Sequence, residues 1–225
     1  MIVTLTHPFI RRCINRQQLL KDCNKFNTFT RRMKKQAEIA ATDGEGEIDE
    51  DIQNKYKGDA FELFVEVFIR IFGADMLIGI DPQSYSIVPP DKDQGVDGVG
   101  IGFNGDSHTV QAKFRQSNYV LTSRKDDLKS LTNQSMKMKE DNGFSISPSC
   151  KFKVDFDRRG DRSRIDNTCQ MTVSHCGKEI HRESKKDLVP LREINRKDIR
   201  RRVEQNNIFW DSFRESWDEA IRDGE

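Results

Sequence analysis

Apolar positions recur most regularly between residues 52 and 72. Drawn as a helix at about 100° per residue, Phe61, Val65, Phe68, Ile69 and Phe72 share one face and Phe64 borders it. Glu62 falls on the margin of that face beside Ile69, a place where acids commonly edge an amphipathic helix. Residues 9–40 read as helical in two pieces. The first carries Ile10, Ile14, Leu19 and Leu20; the second carries Phe26, Phe29, Met33 and Ala37 at three- and four-residue spacing. The acidic, glycine-containing stretch 42–51 between these helices reads as a linker. A further helix is predicted over 122–141, with Leu128, Leu131 and Met138 as anchors. Near the other end, Phe209, Phe213, Trp217 and Ile221 recur every four residues.

Shorter apolar runs switch to strand character. Strands are expected at 76–80, at 85–88 before Pro89-Pro90, at 96–103, at 109–114 and at 169–175. Asn104-Gly105-Asp106 joins the third and fourth of these as a hairpin. A three-residue loop at 104–106 would pair Val99 with Gln111 and Asp97 with Lys113, placing Asp97, Gln111 and Lys113 on one face. A two-residue loop at 104–105 would set Asp97 opposite Ala112 instead, and both registers remain open at this stage. Residues 142–168 are polar and irregular, with Arg158, Arg159, Arg162 and Arg164 clustered in what reads as an insertion. Asn195 and Asp198 resemble a helix cap, and Ile199 and Val203 follow at helical spacing.

Composition changes this picture in two respects. With 225 residues, 35% hydrophobic and 33% charged, and a mean hydropathy of −0.77, the core must be economical. The formal net charge of +1 hides strong segregation: residues 1–40 hold nine Lys/Arg against two acids, 43–51 six acids and no base, and 192–202 six bases and two acids. Such basic blocks suit phosphate, though most charge runs are solvated faces. No run of 18 apolar residues occurs, so no transmembrane helix is expected. The first residues lack the apolar stretch and cleavage site of a signal peptide. Five cysteines without CxxC spacing fit free thiols in a reducing cytoplasm.

Candidate chemistry concentrates at 95–115. Metal-assisted phosphodiester hydrolysis needs hard oxygen ligands for Mg²⁺ or Mn²⁺, a nucleophilic water and a positive group beside it. Asp97 offers an anionic ligand, Gln111 a side-chain carbonyl, Ala112 a main-chain carbonyl and Lys113 the positive group. Glu62 would complete the shell directly or through water. Cys169, His175, Cys176 and His181, with Cys150, lack the paired spacing of common zinc modules, and the glycines at 95, 98, 100 and 102 form no phosphate loop.

The order of Gly58-Asp59-Ala60-Phe61-Glu62, Gln94-Gly95-Val96-Asp97-Gly98 and Val110-Gln111-Ala112-Lys113 resembles the PD-(D/E)XK nuclease superfamily. It is most similar to the Mrr-like branch, related to type IV restriction endonucleases, in which Gln commonly replaces the first acid of the (D/E)xK triplet. The segment from Ile194 to Phe213 also resembles, more weakly, the end of Mrr-type domains of phage and helicase-associated proteins.

The resemblance covers roughly residues 52–140 plus the strand 169–175. It implies an α/β fold with a restriction-endonuclease-like core: a mixed central sheet flanked by helices, here with extra N- and C-terminal helices. It implies Mg²⁺-dependent DNA hydrolysis, with Mn²⁺ able to substitute, in an intracellular setting that includes phage-encoded proteins. Glu62, Asp97 and Gln111, with the Ala112 carbonyl, would hold the metal, and Lys113 would assist the water. Arg115, Arg124, Lys125, Arg200, Arg201 and Arg202 would contact DNA. Three regions are expected: a basic helical extension and acidic linker (1–50), a nuclease core with the polar insertion (51–180) and a C-terminal helical segment packing on it (181–225). The aromatic stripe 209–221 offers an interface for a homodimer. The competing expectation is a DNA-binding or assembly subunit with a catalytically silent nuclease fold, and a zinc-stabilised interaction domain comes third.

Overall fold

In a computed structural model of the chain, the described residues are 1–13, 16–44, 46–76, 78–89, 95–103, 105, 107–114, 131, 134–135, 170–174, 191–194 and 196–223. Helices α1 (Phe9–Arg12), α2 (Arg16–Leu20), α3 (Phe26–Ala41) and α4 (Glu50–Phe72) come first. Strands β1 (Ser86–Ile87), β2 (Gly98–Ile101), β3 (Ser107–Lys113), β4 (Gln170–Ser174) and β5 (Leu191–Ile194) follow, then helices α5 (Arg196–Val203) and α6 (Asn207–Arg222). They divide into two compact units, one of Met1–Ile71 with Lys197–Glu225 and the other of Phe72–Arg196. Helix α4 therefore shares a unit with the helices at both ends of the chain, whereas the sequence pattern had grouped it with the strands.

The helical unit is built on aromatic rings. Phe26, Phe29, Met33, Ala37 and Ala41 form the buried stripe of α3, at the spacing the sequence predicts. Phe64, expected only to border the apolar face of α4, is fully buried and sits at the centre. Its ring lies 5.1 Å from Phe26, 5.2 Å from Phe29, 5.5 Å from Phe209 and 6.3 Å from both Trp210 and Phe213. In α6, Phe209, Phe213 and Trp217 are fully buried and Ile221 is exposed. The stripe that suggested a homodimer interface is thus occupied within its own unit. Burial of each such ring contributes about 1.5–3 kcal/mol.

Caps define where these helices begin. Asp49 Oδ1 accepts from the N–H groups of Asp51 and Ile52, at 2.9 and 3.0 Å, and starts α4 two residues before the predicted position. The acidic stretch before it folds back on itself: Asp43 N–H donates to the Glu47 carbonyl and Thr42 bridges Ile48. Asn206 caps α6 by accepting from Phe209 N–H at 3.1 Å.

The second unit holds a five-stranded sheet in the order β1-β2-β3-β4-β5. Among the described residues all four pairings are antiparallel, where a mixed sheet was expected. A long connection such as 114–169 is compatible with either strand direction, so sequence pattern cannot fix it. The expected strand at 76–80 is also corrected. The Asp75 carbonyl accepts from both Ile78 and Gly79 N–H, which makes a turn, and Ile80 forms only an isolated bridge to Gly102. β5 was not foreseen.

The hairpin register differs from both expectations. Gly98 pairs with Val110, Val99 with Thr109 and Ile101 with Ser107, so β3 is shifted by two residues from the three-residue-loop register. The reason is a longer turn. Gly105 N–H donates to the Gly102 carbonyl at 2.8 Å, with Gly105 at φ 84°, a backbone conformation that glycine adopts without a side-chain clash. Of the helix expected at 122–141, Leu131, Gln134 and Ser135 are described; Leu131 is fully buried and Ser135 bonds to Thr109 Oγ1 at 2.6 Å. The polar insertion, Asn195 and the Cys/His group at 150–181 lie outside the described residues.

Candidate functional site

The sheet unit brings Asp97, Gln111 and Ala112 together. Asp97 lies just before β2, where its N–H donates to the Val110 carbonyl at 2.8 Å and its carbonyl accepts from Val88 N–H at 3.0 Å. In a regular strand both groups of one residue face the same neighbour. At Asp97 they face opposite neighbours, a bulge-like break in the ladder. Its side chain then takes over from the main chain: Asp97 Oδ2 accepts from Ala112 N–H at 2.5 Å. The acid is 8% exposed. The expected pairing of Asp97 with Lys113 is therefore replaced by a bond to the residue next to it.

Gln111 is fully buried in β3. Its Nε2 donates to the Gly95 carbonyl at 2.7 Å. That carbonyl accepts only, so the amide orientation is dictated by chemistry. The consequence is that Gln111 Oε1 is buried and, among the described residues, has no hydrogen-bond partner. A buried carbonyl left in this state costs about 1–3 kcal/mol. Ala112 N–H points toward Asp97, and in a strand a residue's carbonyl points to the same side as its N–H. The Ala112 carbonyl is thereby directed to the edge where Asp97 lies. Lys113, half-buried, is the last residue of β3.

These donors are of the chemical type that Mg²⁺ takes. Among the described residues no cluster of three or more His, Cys, Asp or Glu exists that could hold a metal. Mg²⁺ does not require one, since it is commonly held by one or two carboxylates and keeps several waters. One carboxylate, one buried amide carbonyl and one main-chain carbonyl are hard oxygen donors.

Glu62 belongs to the helical unit and stands in an acidic row. Asp59, Glu62 and Glu66 follow one another at i, i+3 and i+7 on α4, and each meets a group from the first 13 residues. Arg12 pairs with Asp59 at 2.8 Å. His7 Nε2 lies 3.1 Å from Glu62 Oε2. Glu66, fully buried, accepts from Thr6 N–H (2.9 Å), Thr6 Oγ1 (2.8 Å) and His7 N–H (3.1 Å), with Arg70 at 3.9 Å. Burial pushes the Asp59 carboxyl above its ordinary value, while Arg12 and Lys55 act in the opposite direction. Sequence reasoning named Glu62 but missed His7 and Glu66. The i, i+3, i+7 spacing of the acids was the available signal; the N-terminal partners of Glu62 and Glu66, more than 50 residues away, left none.

Of the expected DNA contacts, Arg200, Arg201 and Arg202 lie on α5. Arg200 pairs with Glu204 at 3.6 Å and Arg202 donates to the Asp198 carbonyl at 3.1 Å, while Arg201 is exposed. Arg115, Arg124 and Lys125 lie outside the described residues, as does Gln94. Among the described residues no helix is long and apolar enough to cross a membrane. No protein-family model, curated protein or solved structure matches the chain.

Proposed function

We propose that the chain is a Mg²⁺-dependent DNA endonuclease, hydrolysing phosphodiester bonds in restriction, homing or phage DNA processing. The observation that carries this reading is the buried Gln111 carbonyl oxygen, which among the described residues has no hydrogen-bond partner, on the residue before the main-chain N–H that holds Asp97. A cation there would offset the cost of the unpaired carbonyl. Helix α4 followed by the antiparallel strands β1–β3 is the order that a restriction-endonuclease-like core requires; the antiparallel direction of β4 departs from it.

Bound Mg²⁺ supplies a water of lowered pKa and shields the charge that develops on the phosphate. Asp97 contributes the anionic oxygen. The bond from Ala112 N–H fixes that carboxylate's orientation, so little reorganisation is needed when the phosphate arrives. Gln111 contributes its carbonyl, anchored through the opposite end of the same amide. Lys113 holds a positive charge that orients the attacking water. Glu62 enters the ligand set through the resemblance alone, and substitution decides its part.

Cleavage of supercoiled plasmid with Mg²⁺ tests the reading. Wild type should nick or linearise it, and Asp97→Ala and Lys113→Ala should each lose about 100-fold or more. Equal activity in all three proteins, or no cutting by wild type over varied DNA substrates, rejects it. Retention of DNA with steep salt dependence and no cutting would support the silent binding subunit instead.

A further inference from the structure

We infer that His7 is a positioning residue for the Glu62 carboxylate, fixing Oε2 and leaving Oε1 as the oxygen presented to a ligand. This deepens the hydrolytic reading and rests on Glu62 serving that reaction.

Three features of the helical unit carry the inference. The first is the tautomer. His7 Nδ1 accepts from Phe9 N–H at 3.2 Å, so the ring proton resides on Nε2, which donates to Glu62 Oε2 at 3.1 Å. The second is rigidity behind the ring. His7 is 5% exposed, and its own N–H is bound by the fully buried Glu66, which also takes both donors of Thr6. The imidazole is therefore built into the unit and cannot follow a wandering side chain. The third is one-sided engagement. Glu62 keeps 26% exposure, and among the described residues no hydrogen bond reaches its Oε1.

A glutamate on a helix surface ordinarily samples many rotamers. Hydrogen bonding from a rigid neighbour removes that freedom before the ligand binds, and substitutions of such partners typically cost 10–100-fold in metal affinity or activity. A purely stabilising contact would instead lower stability and leave the metal dependence of cleavage alone.

The test uses the full chain with His7→Phe, which keeps an aromatic ring without the donor, His7→Gln, which retains an N–H donor, Glu62→Gln, and the double variant His7→Phe/Glu62→Gln. Thermal melting identifies variants that fail to fold. In plasmid cleavage, His7→Phe should raise the half-saturating Mg²⁺ concentration about 10–100-fold. His7→Gln should recover most of that loss, and His7→Phe should add nothing in the Glu62→Gln background. An unchanged Mg²⁺ dependence in His7→Phe, or full additivity with Glu62→Gln, overturns the inference while leaving the endonuclease reading intact. A metal-free arm separates the two further. At one pH near neutrality, the Glu62 carboxyl ¹³C resonance should shift in His7→Phe and return toward its wild-type position in His7→Gln. If wild type cuts no DNA, that shift still supports positioning by His7. A Glu62 resonance identical in wild type and a folded His7→Phe variant overturns it, whatever wild type does to DNA.

Discussion

Gln111 donates its amide nitrogen to Gly95, and among the described residues its buried oxygen has no hydrogen-bond partner. That division gives a prediction that needs no cleavage. Mg²⁺ at one hundred times its dissociation constant should stabilise wild type by about 2.7 kcal/mol, read as a rise in melting temperature. Gln111→Leu removes the donor to the Gly95 carbonyl and the buried Oε1 together, two effects of about 1–3 kcal/mol and opposite sign, so its metal-free stability should stay close to wild type while its response to Mg²⁺ is largely lost. An equal Mg²⁺ shift in both proteins would remove Gln111 from the ligand set. Asp59 supplies a prediction of pH dependence. Its folded-state pKa lies above the ordinary 3.8, chiefly because burial disfavours the charged form. The folded chain then binds the proton more tightly than the unfolded chain. Its contribution is complete below the unfolded value and is lost as pH rises through the raised one. Urea titrations from about pH 4 to pH 7 should therefore show a shallower decline in stability for Asp59→Asn than for wild type. Of this residue-scale detail, Asp97, Gln111 and Lys113 were legible because they sit in a short local pattern. Neither the Gln111–Gly95 bond nor the partners of the acidic row was legible, since each depends on how distant segments meet.

Strand β2 shows the same boundary at the scale of an element. The hairpin was legible from two apolar runs flanking a glycine turn. Its register was not, because the pairing closes at Ile101 and Ser107 rather than beside Asn104. Packing explains which residues must face one another. A methyl group added at Gly98 would collide with Tyr85 Oη and lie 2.6 Å from its Cζ; one added at Gly100 would lie 2.6 Å from Ile80 Cγ2. Tyr85 is 3% exposed and Ile80 fully buried, so neither side chain can swing into solvent cheaply. The glycines therefore serve as the surface on which two side chains rest, in addition to any role in turning the chain. Gly98→Ala should cost about 1–3 kcal/mol by overpacking. Because Gly98 adjoins Asp97, it should also weaken the Mg²⁺ response described above. Thermal melting with and without Mg²⁺ checks both effects, and a fully stable Gly98→Ala protein with an intact response would contradict this packing.

At the scale of the whole molecule, the helical stripes were legible one by one, but their assembly was not. Periodicity reports that α3, α4 and α6 each have an apolar face; it does not report that the three faces meet around one ring. Phe64 looked peripheral by helical-wheel angle because the wheel centres on a single partner direction. In the unit it has several, with Phe26 and Phe29 supplied by α3 and Phe209, Trp210 and Phe213 by α6. These segments lie far apart in sequence, and Phe64 is where they converge. Phe64→Ala should thus destabilise the helical unit by about 3–5 kcal/mol, since so many neighbours cannot all collapse into the vacated space. The conservative Phe64→Leu should cost clearly less, because most of the volume remains filled. Hydrogen exchange in Phe64→Ala should accelerate in α3 and α6 together with α4, as expected when one shared core loosens. A loss below about 1 kcal/mol, or faster exchange confined to α4, would mean that the three helices do not depend on this ring, and the aromatic centre assigned to the unit would have to be given up.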